Sequence, residues 1–273
     1  MSATMELDLF QITFLAALQG FTEYLPISSS GHLLLPGVLW GWPDQGLVFD
    51  VAVHLGSLLA VLYYFRRSLW DLALAWLLSI RDHRLDDDSR QAWMLLFATI
   101  PAGVGGLLLD DLVEEYARSM VVIAVTSIFF GLLLWLADGT GRKNMSLKDL
   151  GWRGALLIGL AQVLALIPGT SRSGITMTAA LAVNLSREAA ARFSFLLAIP
   201  IIAASGLFKT LELLQLGAAT DEWINLMYGI MVSAVVSVAC IHYFLRLIGR
   251  IGFLPFVIYR VLLGGFLLVL YFG

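Results

Sequence analysis

Six stretches of mostly apolar residues, 47–65, 91–109, 119–137, 193–214, 224–245 and 251–272, each approach the roughly 20 residues that a helix needs to cross a bilayer. Two further regions, 9–40 and 154–185, are also apolar but are broken midway by Pro, Gly, Ser and charge. Each of these predicts two half-length helices joined by a polar turn. Irregular backbone at membrane depth is tolerated only where protein or water satisfies it, so the pattern predicts a re-entrant hairpin that returns to the side it entered.

Composition agrees. The chain is 59% hydrophobic and 14% charged, with mean hydropathy +0.86, whereas soluble domains run roughly 45–50% apolar and about 25% charged. This is an all-α polytopic membrane protein, a single membrane domain over residues 1–273. Gly 25, Pro 7 and Cys 1 exclude collagen-like, low-complexity and disulfide-framework classes. Cys240 sits in an apolar run and reads as a packing thiol.

Charge placement orients the spans. Arg66, Arg67, Arg81, Arg84, Arg90, Arg142, Lys143, Lys148, Arg153, Arg187, Arg192, Arg246 and Arg250 fall on one side, against Arg118 and Lys209 on the other. Arg172 and Arg260 remain inside the membrane, so 13, 2 and 2 account for all 17 basic residues. The positive-inside rule makes the 13-residue side cytoplasmic. Asp110, Asp111, Glu114, Glu115, Asp221 and Glu222 are then external, as is the N-terminus. With Glu6 and Asp8 and no basic residue before the first apolar run, that run is expected to stay in the mature protein. Tryptophans near the predicted ends read as an aromatic belt, and the amphipathic stretch 68–78 as a surface helix on the cytoplasmic side. Basic residues scattered over short loops give nucleic-acid binding no support.

The two broken regions match at an offset of 143 residues, Gln19, Ser28, Ser30 and Gly31 against Gln162, Ser171, Ser173 and Gly174. With the topology above, the chain reads as an inverted repeat of two halves, approximately 1–137 and 150–273. Each half is a re-entrant helical hairpin plus three transmembrane helices. Such folds place their site near the bilayer midplane, where broken helices meet. Here the tips are Pro26-Ile27-Ser28-Ser29-Ser30-Gly31-His32 and Pro168-Gly169-Thr170-Ser171-Arg172-Ser173-Gly174.

Each tip leads into a new helix whose free N–H groups and positive dipole end favour an anion. Arg172 adds a permanent cation with a planar fork suited to phosphate oxygens. Serine before a helix is usually a cap. One hydroxyl suffices for that, and Ser28, Ser29, Ser30, Thr170, Ser171 and Ser173 exceed the need. Glu23 would repel a phosphate, so its place beside such a pocket points to a metal ligand or a proton acceptor; the plain alternative is a Glu23–His32 contact that fixes the loop. Ser29 and His32, three residues apart, permit a hydroxyl nucleophile with an imidazole base, or His32 as nucleophile or acid. Arg260 reads equally as a second phosphate clamp and as a buried helix lock. Asp50 and His54 read as a structural hydrogen bond, with the mouth of the site as the alternative.

The runs Gln19-Gly20-Phe21-Thr22-Glu23-Tyr24-Leu25-Pro26-Ile27-Ser28-Ser29-Ser30-Gly31-His32 and Pro168-Gly169-Thr170-Ser171-Arg172-Ser173-Gly174 closely resemble the two signature motifs of the undecaprenyl-diphosphate phosphatases, the bacitracin-resistance family. The resemblance extends over nearly the whole chain, including His54-Leu55-Gly56-Ser57 and Tyr259-Arg260. It implies a phosphatase that hydrolyses undecaprenyl diphosphate to the monophosphate and inorganic phosphate, recycling the lipid carrier for cell-wall synthesis. It implies catalytic roles for Glu23, Ser29, His32 and Arg172, and phosphate contacts from Gln19, Ser28, Ser30, Thr170, Ser171, Ser173 and Thr176. A divalent cation, Mg2+ or Ca2+, is expected with Glu23 as its ligand. Family members often carry an acid where Gln19 stands, and an amide is a weaker metal ligand and no base. The implied location is the bacterial inner membrane with the site open to the periplasm; a homodimer is a further expectation. The rival class is a transporter or flippase of an anionic polyprenyl lipid, which uses the same broken helices.

Overall fold

The structure, a computed structural model, describes residues 7–116, 119–215 and 223–273. Among these are eleven α-helices, and the only β pairing is an isolated bridge between Met145 and Leu185. Six helices are long and apolar enough to span a membrane: α3 (Gly46–Tyr64), α5 (Asp87–Tyr116), α6 (Met120–Thr140), α9 (Arg187–Gln215), α10 (Trp223–Ile251) and α11 (Leu254–Phe272). They are the six apolar stretches of the sequence. Each broken region holds two short helices, α1 (Leu9–Thr22) with α2 (Ser29–Trp40) and α7 (Trp152–Val163) with α8 (Arg172–Ala182). At 14, 12, 12 and 11 residues these are about 17–21 Å long, well short of a roughly 30 Å hydrocarbon core.

Helix ends extend beyond the apolar windows where caps reach into water. The N–H of Ser89 bonds Asp86 Oδ1 at 2.8 Å, and Asp87 and Asp88 sit on the positive end of α5. The surface helix is α4 (Arg66–Asp82), which leaves Trp70, Leu74 and Leu77 exposed while Trp76 packs at a tilt on Trp93, ring centres 5.7 Å apart. Cys240 is buried and donates to the Phe21 carbonyl, a packing thiol as expected. Of the charges expected outside, Glu6, Asp110, Asp111, Glu114, Glu115, Arg118, Lys209, Asp221 and Glu222 lie outside the described residues and side chains.

Without water to drive helix association, small residues and interhelical hydrogen bonds carry the packing. α10 lies against both α1 and α3 along such a seam. Ser233 Oγ donates to the Val53 carbonyl at 2.7 Å, Ser237 Oγ donates to the Gly20 carbonyl at 3.1 Å, and Ser57 and Ser233 share a hydroxyl contact at 3.2 Å. Gly20 and Gly56 let the backbones close up: a Cβ on Gly56 would strike the Ile230 carbonyl and lie 2.8 Å from Ser233 Cβ. Gly159 meets the Ala98 backbone in the same way where α7 packs on α5. On α6, Asp138 receives a bidentate pair from Arg187 of α9 at 2.7 and 2.9 Å and the N–H of Phe253 ahead of α11, joining three spans.

The seam predicts a matched pair of substitutions. Gly56→Ala should lower stability by about 1–3 kcal/mol, as overpacking does, while Gly103→Ala, with open space around it, should be neutral. Unfolding temperatures of the two variants in detergent check this, and equal values would remove the seam from the packing account.

Candidate active site

The two tips adopt the same local backbone. Ser28 has φ 71 and ψ 96, and Ser171 has φ 69 and ψ 113, positions 143 apart in the chain. A side chain at positive φ costs about 1–3 kcal/mol and persists only where its surroundings over-determine it. In each tip the hydroxyl of that serine contacts the hydroxyl two residues on, Ser28 with Ser30 and Ser171 with Ser173, both at 3.2 Å. Capping accounts for only one hydroxyl of the set: Ser171 Oγ accepts from the Gly174 N–H at 3.1 Å, while Ser28 makes no such bond.

Arg260 ties the tips together. It is fully buried, and it donates to the Pro26 carbonyl of the first tip, the Gly169 and Thr170 carbonyls of the second (both 2.9 Å), and the Thr126 and Ser127 carbonyls of α6. All its described partners are backbone oxygens, so of its two sequence readings the helix lock is the one the geometry matches. α6 pins the second tip again through Thr126 Oγ1 to the Pro168 carbonyl at 2.7 Å. Gly169, at φ +84, lies so close to Thr126 that no side chain fits there. Across the tips, Ser173 Oγ donates to the Leu25 carbonyl at 2.7 Å. Buried Tyr24 holds the first tip to α3 through the Ser57 carbonyl at 2.6 Å.

Between the tips lies a cavity of about 190 Å³ lined by Glu23, Ser28, Ser29, Ser30, His54, Ser171 and Arg172, among others. Arg172 Nη2 meets Glu23 Oε1 at 3.0 Å. Glu23 Oε2 accepts from Ser29 Oγ at 2.7 Å and from the Gln19 amide at 2.9 Å, and His54 Nε2 stands 3.7 Å from it. α2 begins at Ser29 and α8 at Arg172, so both helix N-termini open on this cavity. A carboxylate thus holds a hydroxyl proton beside a guanidinium and two positive helix ends. That arrangement can bind an anion and deprotonate an alcohol.

Of the residues expected at the site, Glu23, Ser28, Ser29, Ser30, Ser171 and Arg172 line the cavity together. Gln19 stands behind Glu23. Thr170 is buried with its hydroxyl unpartnered, and Thr176 turns away to Ser194 at 2.7 Å. His32 is buried, with Nδ1 donating to the Ser28 carbonyl at 2.7 Å and Nε2 against the Tyr259 hydroxyl at 2.5 Å. It faces neither Ser29 nor Glu23 through a described hydrogen bond. His54, read from sequence as a structural hydrogen bond with Asp50 or as the mouth of the site, does both: Nδ1 donates to the Asp50 carbonyl at 2.7 Å and the ring lines the cavity beside Glu23. Its signal was present: an Asp50–His54 spacing that puts the ring on the same helix as its carbonyl anchor. Tyr259, which precedes Arg260 in the chain, stacks on His32 and carried no separate signal.

A divalent cation fits here only in company with phosphate oxygens. No group of three His, Cys, Asp or Glu able to hold a metal ion occurs among the described residues. Hard cations, however, commonly take one or two carboxylates plus substrate phosphates. Glu23 supplies the carboxylate, and Gln19 Oε1, buried without a partner, is an unused oxygen on the amide beside it.

The family model of the bacitracin resistance protein BacA matches residues 12–266. Undecaprenyl-diphosphatase 1 of Pseudoalteromonas translucida is 53% identical over 96% of this chain and 98% of its own length. The undecaprenyl-diphosphatases of Alteromonas mediterranea and Hahella chejuensis are each 55% identical, over 96% and 95% of this chain and 98% and 97% of their own.

The lock makes its own prediction. Arg260→Lys keeps the charge but cannot serve carbonyls on three segments, and Arg260→Met leaves them all unpaired. At about 1–3 kcal/mol for each buried group left unsatisfied, the methionine variant should lose at least about 3 kcal/mol, with the lysine variant between it and the parent. Denaturant or thermal unfolding measures it, and a loss under 1 kcal/mol would show that the tips hold without Arg260.

Proposed function

The chain belongs to the bacitracin resistance family, and from that membership we infer that it is a multi-pass membrane phosphatase that hydrolyses undecaprenyl diphosphate to undecaprenyl phosphate and inorganic phosphate. The observation that carries the reading at the site is the Glu23–Ser29–Arg172 cluster at 2.7 and 3.0 Å, set between two helix N-termini.

The diphosphate enters as a competitor for Arg172. Its terminal phosphate takes the guanidinium from Glu23, with the N-terminal N–H groups of α2 and α8 and the hydroxyls of Ser28, Ser30 and Ser171 supporting its oxygens. Glu23, released from that ion pair, accepts the Ser29 proton as Ser29 Oγ attacks the terminal phosphorus. The bond from that phosphorus to the bridging oxygen breaks, and undecaprenyl phosphate leaves. Water then attacks the phosphoserine phosphorus, the Ser29 Oγ–P bond breaks, Ser29 Oγ takes back the proton held by Glu23, and inorganic phosphate leaves with the protons of the water. Arg172 and the helix ends stabilise the charge that develops at phosphorus, where most phosphoryl-transfer catalysis lies. When bound, a divalent cation such as Mg2+ or Ca2+ would supply further neutralisation of the diphosphate oxygens, and Glu23 would hold it. His32, engaged through both ring nitrogens, orients the Ser28 carbonyl and so the first tip.

Two halves of inverted topology, each a re-entrant hairpin plus three spans, complete the reading. It is supported by the shared Ser28 and Ser171 backbone and by packing in which α1 on α10 exchanges with α7 on α5, while α3 on α9 and α6 on α11 map onto themselves. The excess of basic residues on one side supports a cytoplasmic assignment for it. The protein then lies in the inner membrane with the site opening to the periplasm.

Phosphate release from undecaprenyl diphosphate by purified protein tests the mechanism. Arg172→Ala and Ser29→Ala should each lose at least about 100-fold in kcat, and Glu23→Gln about 100- to 10,000-fold, the span of a lost general base. Lipid binding should persist in Glu23→Gln. Full turnover in Ser29→Ala would move the nucleophile to water or His32, and no release by folded parent protein that still binds the lipid would favour a transporter.

A further inference from the structure

The four histidines of the chain are not equivalent. His32 has no free ring nitrogen. His54 has one, and its geometry is specific. A carbonyl can only accept, so the contact of Nδ1 with the Asp50 carbonyl at 2.7 Å places a hydrogen on Nδ1, and in the neutral ring Nε2 then carries the lone pair. That lone pair faces Glu23 Oε2 at 3.7 Å, across the wall of the cavity. Two acceptors opposed in this way repel one another unless something positive sits between them.

An N–H donated to a backbone carbonyl, with the other nitrogen free, is the arrangement that orients metal-binding histidines and fixes their tautomer. Two ligand atoms each about 2.0–2.2 Å from a small ion stand about 3.3–3.5 Å apart at a tetrahedral angle, so a shift of a few tenths of an ångström brings His54 Nε2 and Glu23 Oε2 onto one ion. The Gln19 amide N–H donates to Glu23 Oε2 at 2.9 Å and holds that carboxylate in place from behind.

We propose that His54 is a nitrogen ligand of the divalent cation that accompanies the diphosphate, in a site made by Glu23 and His54 where a second carboxylate would otherwise be needed. The inference rests on the cation reading above. Imidazole moves the preference away from Mg2+ and Ca2+, which favour an all-oxygen shell, toward Mn2+ or Zn2+, which accept mixed nitrogen and oxygen. A proton on His54 would also reconcile the two acceptors, and it is the outcome that the test has to separate.

The probe is Mn2+ added to the purified full chain in detergent, with and without methylenediphosphonate, read by pulsed electron paramagnetic resonance. Bound Mn2+ should show an imidazole 14N coupling that converts to 15N when the histidines are 15N-labelled. The coupling should persist in His32→Gln and vanish in His54→Gln, which should also bind Mn2+ at least about ten-fold more weakly. The labelled parent protein shows whether any histidine binds the ion, and His54→Asn gives a second reading of the loss if His54→Gln folds poorly. Bound Mn2+ without nitrogen coupling, or coupling that survives in His54→Gln, would overturn the assignment and leave the cation reading standing. No bound Mn2+ under either condition would overturn both.

Discussion

The two polar turns need partners for their buried backbone carbonyls, and one guanidinium supplies three of them. Arg260 reaches the Pro26 carbonyl on one tip and the Gly169 and Thr170 carbonyls on the other while holding two carbonyls of α6. In hydrocarbon each of those oxygens would otherwise cost several kcal/mol. The same contacts fix how far apart the tips stand. Everything at the candidate site is measured from that spacing: the Arg172–Glu23 pair bridges it, and the Ser173 hydroxyl closes it on the Leu25 carbonyl.

The rest of the fold serves to hold those turns open to substrate without letting them relax. Ser28 and Ser171 sit at positive φ, a strain that no lone loop would keep. It is kept because α6 grips the second tip through Thr126 and because Tyr24 anchors the first to α3. The glycine and serine seam of α1, α3 and α10 brings the backbone close enough that His54 on α3 and Glu23 after α1 share one cavity. A packing feature buried between three helices thus sets the distance between two ionisable groups beside it.

Division of labour between the two basic residues at membrane depth follows from exposure. Arg172 reaches the cavity and can exchange its carboxylate for a phosphate. Arg260 is sealed, with five carbonyls and no opening. One faces the cavity and the other is locked on backbone, a difference that the hydroxyl-rich neighbours of Arg172 already indicated and that nothing beside Arg260 did.

The sequence by itself determined the class, the six spans, the two broken regions and the polar residues of their tips. Each of these is set by local quantities: run length against bilayer thickness, and the turn chemistry of Pro, Gly and Ser. Helix ends were read short because apolar runs report the lipid-buried part and not the capped turns in water, as at Asp86–Ser89. Ser29, Glu23 and Arg172 were legible as a set because they stand in or beside the two polar tips, in the runs that resemble the family's two signature motifs. Their pairing was not, since Ser29 stands three residues from His32 yet gives its proton to Glu23, six residues away across the turn. Which histidine faces the cavity, and whether Arg260 grips phosphate or backbone, were decided only by tertiary structure. A side chain's role at membrane depth depends on which partner lies within about 3 Å, and those partners come from helices up to 234 residues distant.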